Sequence, residues 1–102
     1  MEIDMATIVI PGGEVHSEAD LHRVLAAALD FGPYYGNNLD ALWDRLTTDV
    51  ERPVHIVWKE AAQSRSLLGE PLFEKIVNLL RRVAAKDVEI GYGKRLTISV
   101  EE

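Results

Sequence analysis

The chain has 102 residues, 47% of them hydrophobic, with no cysteine and a formal net charge of −6. That is enough for one modest core, too apolar for a disordered chain, and it excludes a disulfide framework and thiolate chemistry. No apolar run has membrane-spanning length and no signal-peptide pattern opens the chain, so a cytoplasmic protein with no membrane partner is expected.

In chain order, residues 7–10 are a β-branched apolar run closed by Pro11, Gly12 and Gly13, the pattern of a buried strand. Ser17 opens a capping pattern with Asp20 three residues on. Leu21, Val24, Leu25, Ala28 and Leu29 follow at helical spacing until Gly32 and Pro33 stop the helix. Tyr34, Tyr35 and Gly36 form a loop, and Asn38 is a good N-cap for a second helix behind it. Arg52 and Pro53 close the next loop, and residues 54–58 read as a second strand. Residues 59–68 carry a weak pattern, read as a short helix. Pro71 then sits in the first turn of a long helix with a wide apolar stripe through Phe73, Ile76, Val77, Leu80 and Val83. Lys75, Arg82 and Lys86 line its opposite side. Gly91, Tyr92 and Gly93 read as a turn, and residues 96–100 as a last strand.

Strands separated by helical stretches imply parallel pairing through crossovers. The expected fold class is therefore α/β: a small three-stranded parallel sheet packed with about four helices, with residues 1–102 as a single domain.

The charge is lopsided. Residues 1–51 hold ten acids and two bases, whereas residues 52–102 hold seven acids and nine bases. An acidic surface disfavours direct binding of nucleic acid and attracts basic partners. A protein that is basic because it binds nucleic acid itself is one such partner.

The helix behind Asn38 lies in the acidic half and breaks a local rule. At about 100° per residue, Leu39, Leu42 and Leu46 fall together as an apolar stripe. Asp40, Asp44 and Thr47 share a different face, with Trp43 between the two. Asp is a poor helix former and like charges at i, i+4 repel, an effect the helix N-terminus offsets for Asp40 more than for Asp44. A stability rule broken on a helix surface points to function. On composition alone, a solvated helix face is still the simpler reading.

Tyr34-Tyr35-Gly36-Asn37-Asn38-Leu39-Asp40-Ala41-Leu42-Trp43-Asp44 resembles the hallmark segment of the barstar family, small intracellular inhibitors of secreted bacterial ribonucleases of the barnase type. Asp20-Leu21-His22, Thr47 and Glu51-Arg52-Pro53 extend the likeness at the family spacing, and the order of elements follows it over nearly the whole chain. The resemblance implies a non-enzymatic, cofactor-free inhibitor that binds a basic bacterial ribonuclease one to one. It implies that Asp44 takes the central place of an RNA phosphate with Asp40 beside it, that Tyr34 and Trp43 pack against the enzyme, and that Asn38, Thr47 and Thr48 supply the rim. Charge-steered encounter and an aspartate hot spot are taken over from the family's type pair along with the resemblance. The family's proline before the second strand follows a cis bond, which leaves Arg52–Pro53 open to cis where X–Pro alone favours trans, and the resemblance makes Tyr34 the exposed member of the tyrosine pair.

The chain departs from the best-known member at Thr48, where that protein has glycine, and at Asp49, where it has an aromatic residue. Arg82 and Lys86 stand where that member carries glutamates that help face the enzyme, and residues 88–94 lengthen the last connection. These departures motivate a second reading, an immunity or interaction module of the same fold that binds a non-ribonuclease toxin or another basic protein. A metal-dependent enzyme using Asp40 and Asp44 ranks last, for want of a third ligand. His16, His22 and His55 are read as scattered, none with a carboxylate or second histidine at ligand spacing, and His22 as a satisfied, partly buried imidazole. The serines lack triad partners, and Gly12 and Gly13 lack the phosphate-loop pattern.

Overall fold

A parallel sheet of three strands in the order β1-β2-β3 carries the architecture. The computed structural model describes residues 6–91 and 93–102. The elements run β1 (Ala6–Pro11), a single 3-10 turn (Gly12–Glu14), α1 (Glu18–Leu29), α2 (Leu39–Thr48), β2 (Val54–Lys59), α3 (Ala61–Leu68), α4 (Glu70–Ile90) and β3 (Leu96–Val100). The expected α/β class, three parallel strands and four α-helices, is what forms. The weakly patterned stretch becomes α3. Tyr92, in the expected last turn, lies outside the described residues.

In the sheet, Ile8 pairs with Ile56 and Ile56 with Ile98. With a period of two, Ile10, Val54, Ile56, Trp58 and Leu96 point to the core. Both crossovers step the same way across the sheet. Such connections are nearly always right-handed, so the helices gather on one face. The other face carries Thr7, His55, Thr97 and Ser99, and His55 hydrogen-bonds the hydroxyls of Thr97 and Ser99 at 2.6 and 3.1 Å.

The start of the chain is locked to the middle by a buried relay. The indole N–H of Trp58 donates to Ser64 Oγ at 2.9 Å, and that hydroxyl donates to the carbonyl of Gly12 at 2.8 Å. A Cβ on Gly12 would stand 2.1 Å from the Lys59 carbonyl oxygen, so only glycine allows this approach. The Trp58 ring meets Phe73 of α4 edge-on at 5.1 Å.

Ser17 caps α1 as its spacing implies, accepting the Asp20 backbone N–H at 3.2 Å. The Asp20 carboxylate reaches back to the His16 N–H and also pairs with Arg23, and these contacts hold its carboxyl below the usual range. Leu42 and Leu46 of α2 are fully buried, and α2 makes its principal contacts with α4. A ten-residue helix is too short to persist alone in water, so this seam is what keeps α2 formed. No helix among the described residues is long and apolar enough to cross a membrane.

Asp87 occupies a core-facing position of α4 and is only 3% exposed. It accepts two hydrogen bonds from the Arg52 guanidinium, at 2.9 and 3.0 Å, and one from the Leu96 backbone N–H at 2.7 Å. One carboxylate thus ties the loop before β2, where Arg52–Pro53 is cis, to the first residue of β3. Burial pushes the Asp87 carboxyl up. The hydrogen bonds from Arg52 and Leu96 and the Arg52 charge outweigh burial and leave the carboxyl below its ordinary range. Because the folded group titrates lower than the unfolded one, its contribution is complete at neutral pH and is lost as pH falls below about 4. Asp87→Ala strands Arg52 and the Leu96 N–H. It is expected to cost about 3–5 kcal/mol in urea unfolding at pH 7. The gap between variant and parent should narrow as the medium is acidified.

Candidate functional site

The approach to α2 is a loop pinned from inside. Phe31 and Tyr35 are buried with their rings 4.8 Å apart, and Arg45 of α2 donates to the Phe31 carbonyl at 2.8 Å. The Tyr35 hydroxyl lies 2.6 Å from His22 Nδ1, and His22 Nε2 lies 2.9 Å from a Glu18 carboxylate oxygen. A carboxylate can only accept, so in the neutral imidazole Nε2–H donates to Glu18 and Nδ1 accepts from Tyr35. Burial, reinforced by the nearby Glu18 charge and opposed by Arg45, pushes the Tyr35 hydroxyl up to about 12, so it remains a donor. Asn37 takes a left-handed conformation (φ 55°), which Asn tolerates better than most residues, and its amide donates to the Tyr35 carbonyl at 3.2 Å. With Tyr35 only 7% exposed, the neighbouring Tyr34 is thrown outward and is 90% exposed.

Asn38 then starts α2. Its Oδ1 accepts the Ala41 N–H at 2.7 Å, so the side chain that borders the surface also nucleates the helix. Asp40 and Asp44 are exposed, and neither forms an ion pair among the described residues. One turn of helix separates them by about 6 Å along the axis. The Thr47 hydroxyl donates to the Trp43 and Asp44 carbonyls, at 2.7 and 3.3 Å, and that of Thr48 donates to the Asp44 backbone carbonyl. Toward solvent both threonines are therefore acceptors.

Trp43 is half-buried, in the wedge position its spacing implies. Two cations of α4 sit over its ring: the Arg82 guanidinium carbon at 5.3 Å and Lys86 Nζ at 5.8 Å from the centroid. A groove of about 640 Å³ runs between the two helices, with Asn38, Asp40 and Trp43 on one wall and Lys75, Asn78 and Arg82 on the other. Tyr34, Asn38, Asp40, Trp43, Asp44, Thr47 and Thr48 all lie on α2 or on the loop feeding it. Of these only Trp43 and Thr47 are half-buried; the rest are exposed.

The histidine reading needs correction. Glu18 and Asp20 each lie four residues from a histidine, and the helical turn brings Glu18 to His22; at the N-cap, Asp20 stands 3.7 Å from His16. His22 is also fully buried at 1% exposure rather than partly so. No group of three or more potential ligands is assembled among the described residues. Sequence reasoning also missed Asp87. A lone acid continuing the apolar register of Ile76, Leu80 and Val83 is the signal that marks it. The Arg82 and Lys86 contacts with Trp43 had no such signal, because they join helices that lie far apart in the chain.

Compared with known proteins, residues 5–99 match the family described as Barstar (barnase inhibitor). The chain is also 45% identical over 65 residues to the Bacillus subtilis (strain 168) protein named "Putative ribonuclease inhibitor YrdF", a match spanning 64% of this chain and 71% of that protein.

Tyr35→Phe keeps the ring and removes the hydroxyl, leaving the buried Nδ1 of His22 without its donor. A loss of about 1–3 kcal/mol is expected in denaturant unfolding. His22→Ala added to Tyr35→Phe should cost less than the sum of the two single changes, because the hydrogen bond is already gone.

Proposed function

The chain belongs to the barstar family, and on that premise we propose that it is a non-enzymatic inhibitor of a basic bacterial ribonuclease, bound one to one through α2 and the Tyr34 loop. A ribonuclease cleft is basic because it must hold phosphates. A stiff helix that offers two carboxylates can occupy those subsites and exclude RNA. Asp44 takes the central subsite and Asp40 the next. Tyr34 and Trp43 supply aromatic contact, the Asn38 amide donates or accepts at the rim, and Thr47 and Thr48 accept hydrogen bonds there. The whole described chain serves as one scaffold for this face, in the compartment where the ribonuclease is made and before its export.

The observation that carries the reading is that Asp40 and Asp44 are exposed, with no ion pair among the described residues, on a helix fixed from behind by Leu42 and Leu46. Flexible acids would lose side-chain and backbone entropy on binding, whereas acids on a docked helix lose only side-chain freedom. The electronegative half of the molecule also speeds encounter with a basic enzyme, and that effect must weaken with salt.

Asp44→Ala removes no internal contact of its side chain, so the variant should unfold at nearly the parent denaturant concentration. Its inhibition of the cognate ribonuclease should weaken by about 2 kcal/mol or more, as at interface hot spots. An unaltered inhibition constant rules out the site. A panel of secreted ribonucleases that are uniformly unaffected by the parent chain would instead favour the module that binds another basic protein.

A further inference from the structure

The acidic face does not end in neutral surface. Lys75, Arg82 and Lys86, at i, i+7 and i+11, form one exposed stripe along α4, and none of them has an ion pair among the described residues. Arg82 and Lys75 share the 640 Å³ groove with Asp40, yet no cation of the stripe comes within 4.0 Å of a carboxylate among the described residues. Arg82 and Lys86 lie over Trp43 itself.

Resting on the reading of α2 as the inhibitory face, we propose that Lys75, Arg82 and Lys86 are the second half of the docking surface. They select a ribonuclease that carries an acidic patch beside its basic cleft. A partner that covers Asp40 and Trp43 must also cover Arg82 and Lys86, because both cations lie over the Trp43 ring and Arg82 lines the same groove as Asp40. Covering unpaired cations strips their water and is unfavourable unless carboxylates meet them. A uniformly basic partner would attract α2 and repel α4. A partner with both signs satisfies both halves and fixes its own orientation, which is how complementary charge confers specificity. The groove between the helices has room for an acidic side chain reaching Lys75 and Arg82 past Asn78.

The test compares the parent chain with Arg82→Glu/Lys86→Glu and Arg82→Gln/Lys86→Gln. The probe is a purified barnase-type ribonuclease that the parent chain inhibits, with association followed by stopped flow. Both cations are exposed, and urea unfolding verifies that the variants fold. Charge reversal should weaken affinity about tenfold or more at low ionic strength, mainly through slower association, with the glutamine pair intermediate and the differences shrinking in about 0.5 M salt. Unchanged binding overturns the proposal, and so does tighter binding, which is what a uniformly basic partner would give the added negative charge. A parent dimer in sedimentation that charge reversal splits, with inhibition unaltered, also overturns it and assigns the stripe to a second copy of the chain. Asp44→Ala runs alongside. If it leaves inhibition intact, the α2 reading falls; if it abolishes inhibition while charge reversal does nothing, only the bipolar proposal falls.

Discussion

Leu42 and Leu46 sink into the core and seat α2 beside α4, and what this protein offers its surroundings depends on that seam. Without it a ten-residue helix carrying two aspartates on one face would melt, since intrinsic propensity and like-charge repulsion both oppose it. With it, the unfavourable spacing becomes a fixed display. The Asn38 cap sets where the helix begins, and therefore which way Asp40 and Asp44 point. α4 in turn is held to the sheet by Phe73, Ile76 and Leu80, and to the loop before β2 by Asp87. The acidic face is thus the outermost layer of a stack whose rigidity begins in the sheet.

The loop before α2 follows the same logic on a smaller scale. Tyr35 is committed to the core by a hydrogen bond to His22, and His22 is committed by Glu18. Each group satisfies the next, so no buried side-chain polar atom among the described residues is left without a partner. The consequence lies one residue away: Tyr34 is held out in solvent, an arrangement that leaves a large aromatic ring uncovered. An exposed ring on the loop that feeds α2, with a half-buried Trp43 and two exposed carboxylates on that helix, gives the mixture of aromatic and charged groups that protein interfaces concentrate.

Much of this was legible in the sequence, for identifiable reasons. The period of Leu39, Leu42 and Leu46 fixed the inner face of α2, and the outer face followed by geometry alone. The β-branched runs marked all three strands, and parallel pairing followed from the helices between them. α3 was faint because its stripe is short: its buried side is Ala61 and a hydroxyl, Ser64. Contacts between distant segments were not legible. Arg52 with Asp87, Tyr35 with His22 and Arg82 over Trp43 each join residues whose pairing depends on how the helices dock, which no local pattern encodes. The carboxylates beside His16 and His22 were within reach of a simple i, i+4 count, and the helical turn makes that count meaningful.

The surface that results is bipolar, acidic along α2 and basic along the Lys75, Arg82 and Lys86 stripe of α4, with Trp43 at the join. The central claim is that the acidic part stands in for RNA, so protein and RNA must compete for one cleft. The most direct measurement is equilibrium competition on a catalytically inactive ribonuclease, with a short fluorescent RNA displaced by this chain. Full displacement at one equivalent, with no species holding both RNA and protein, is the outcome this account requires. A stable ternary complex in which the RNA stays in the cleft would contradict it.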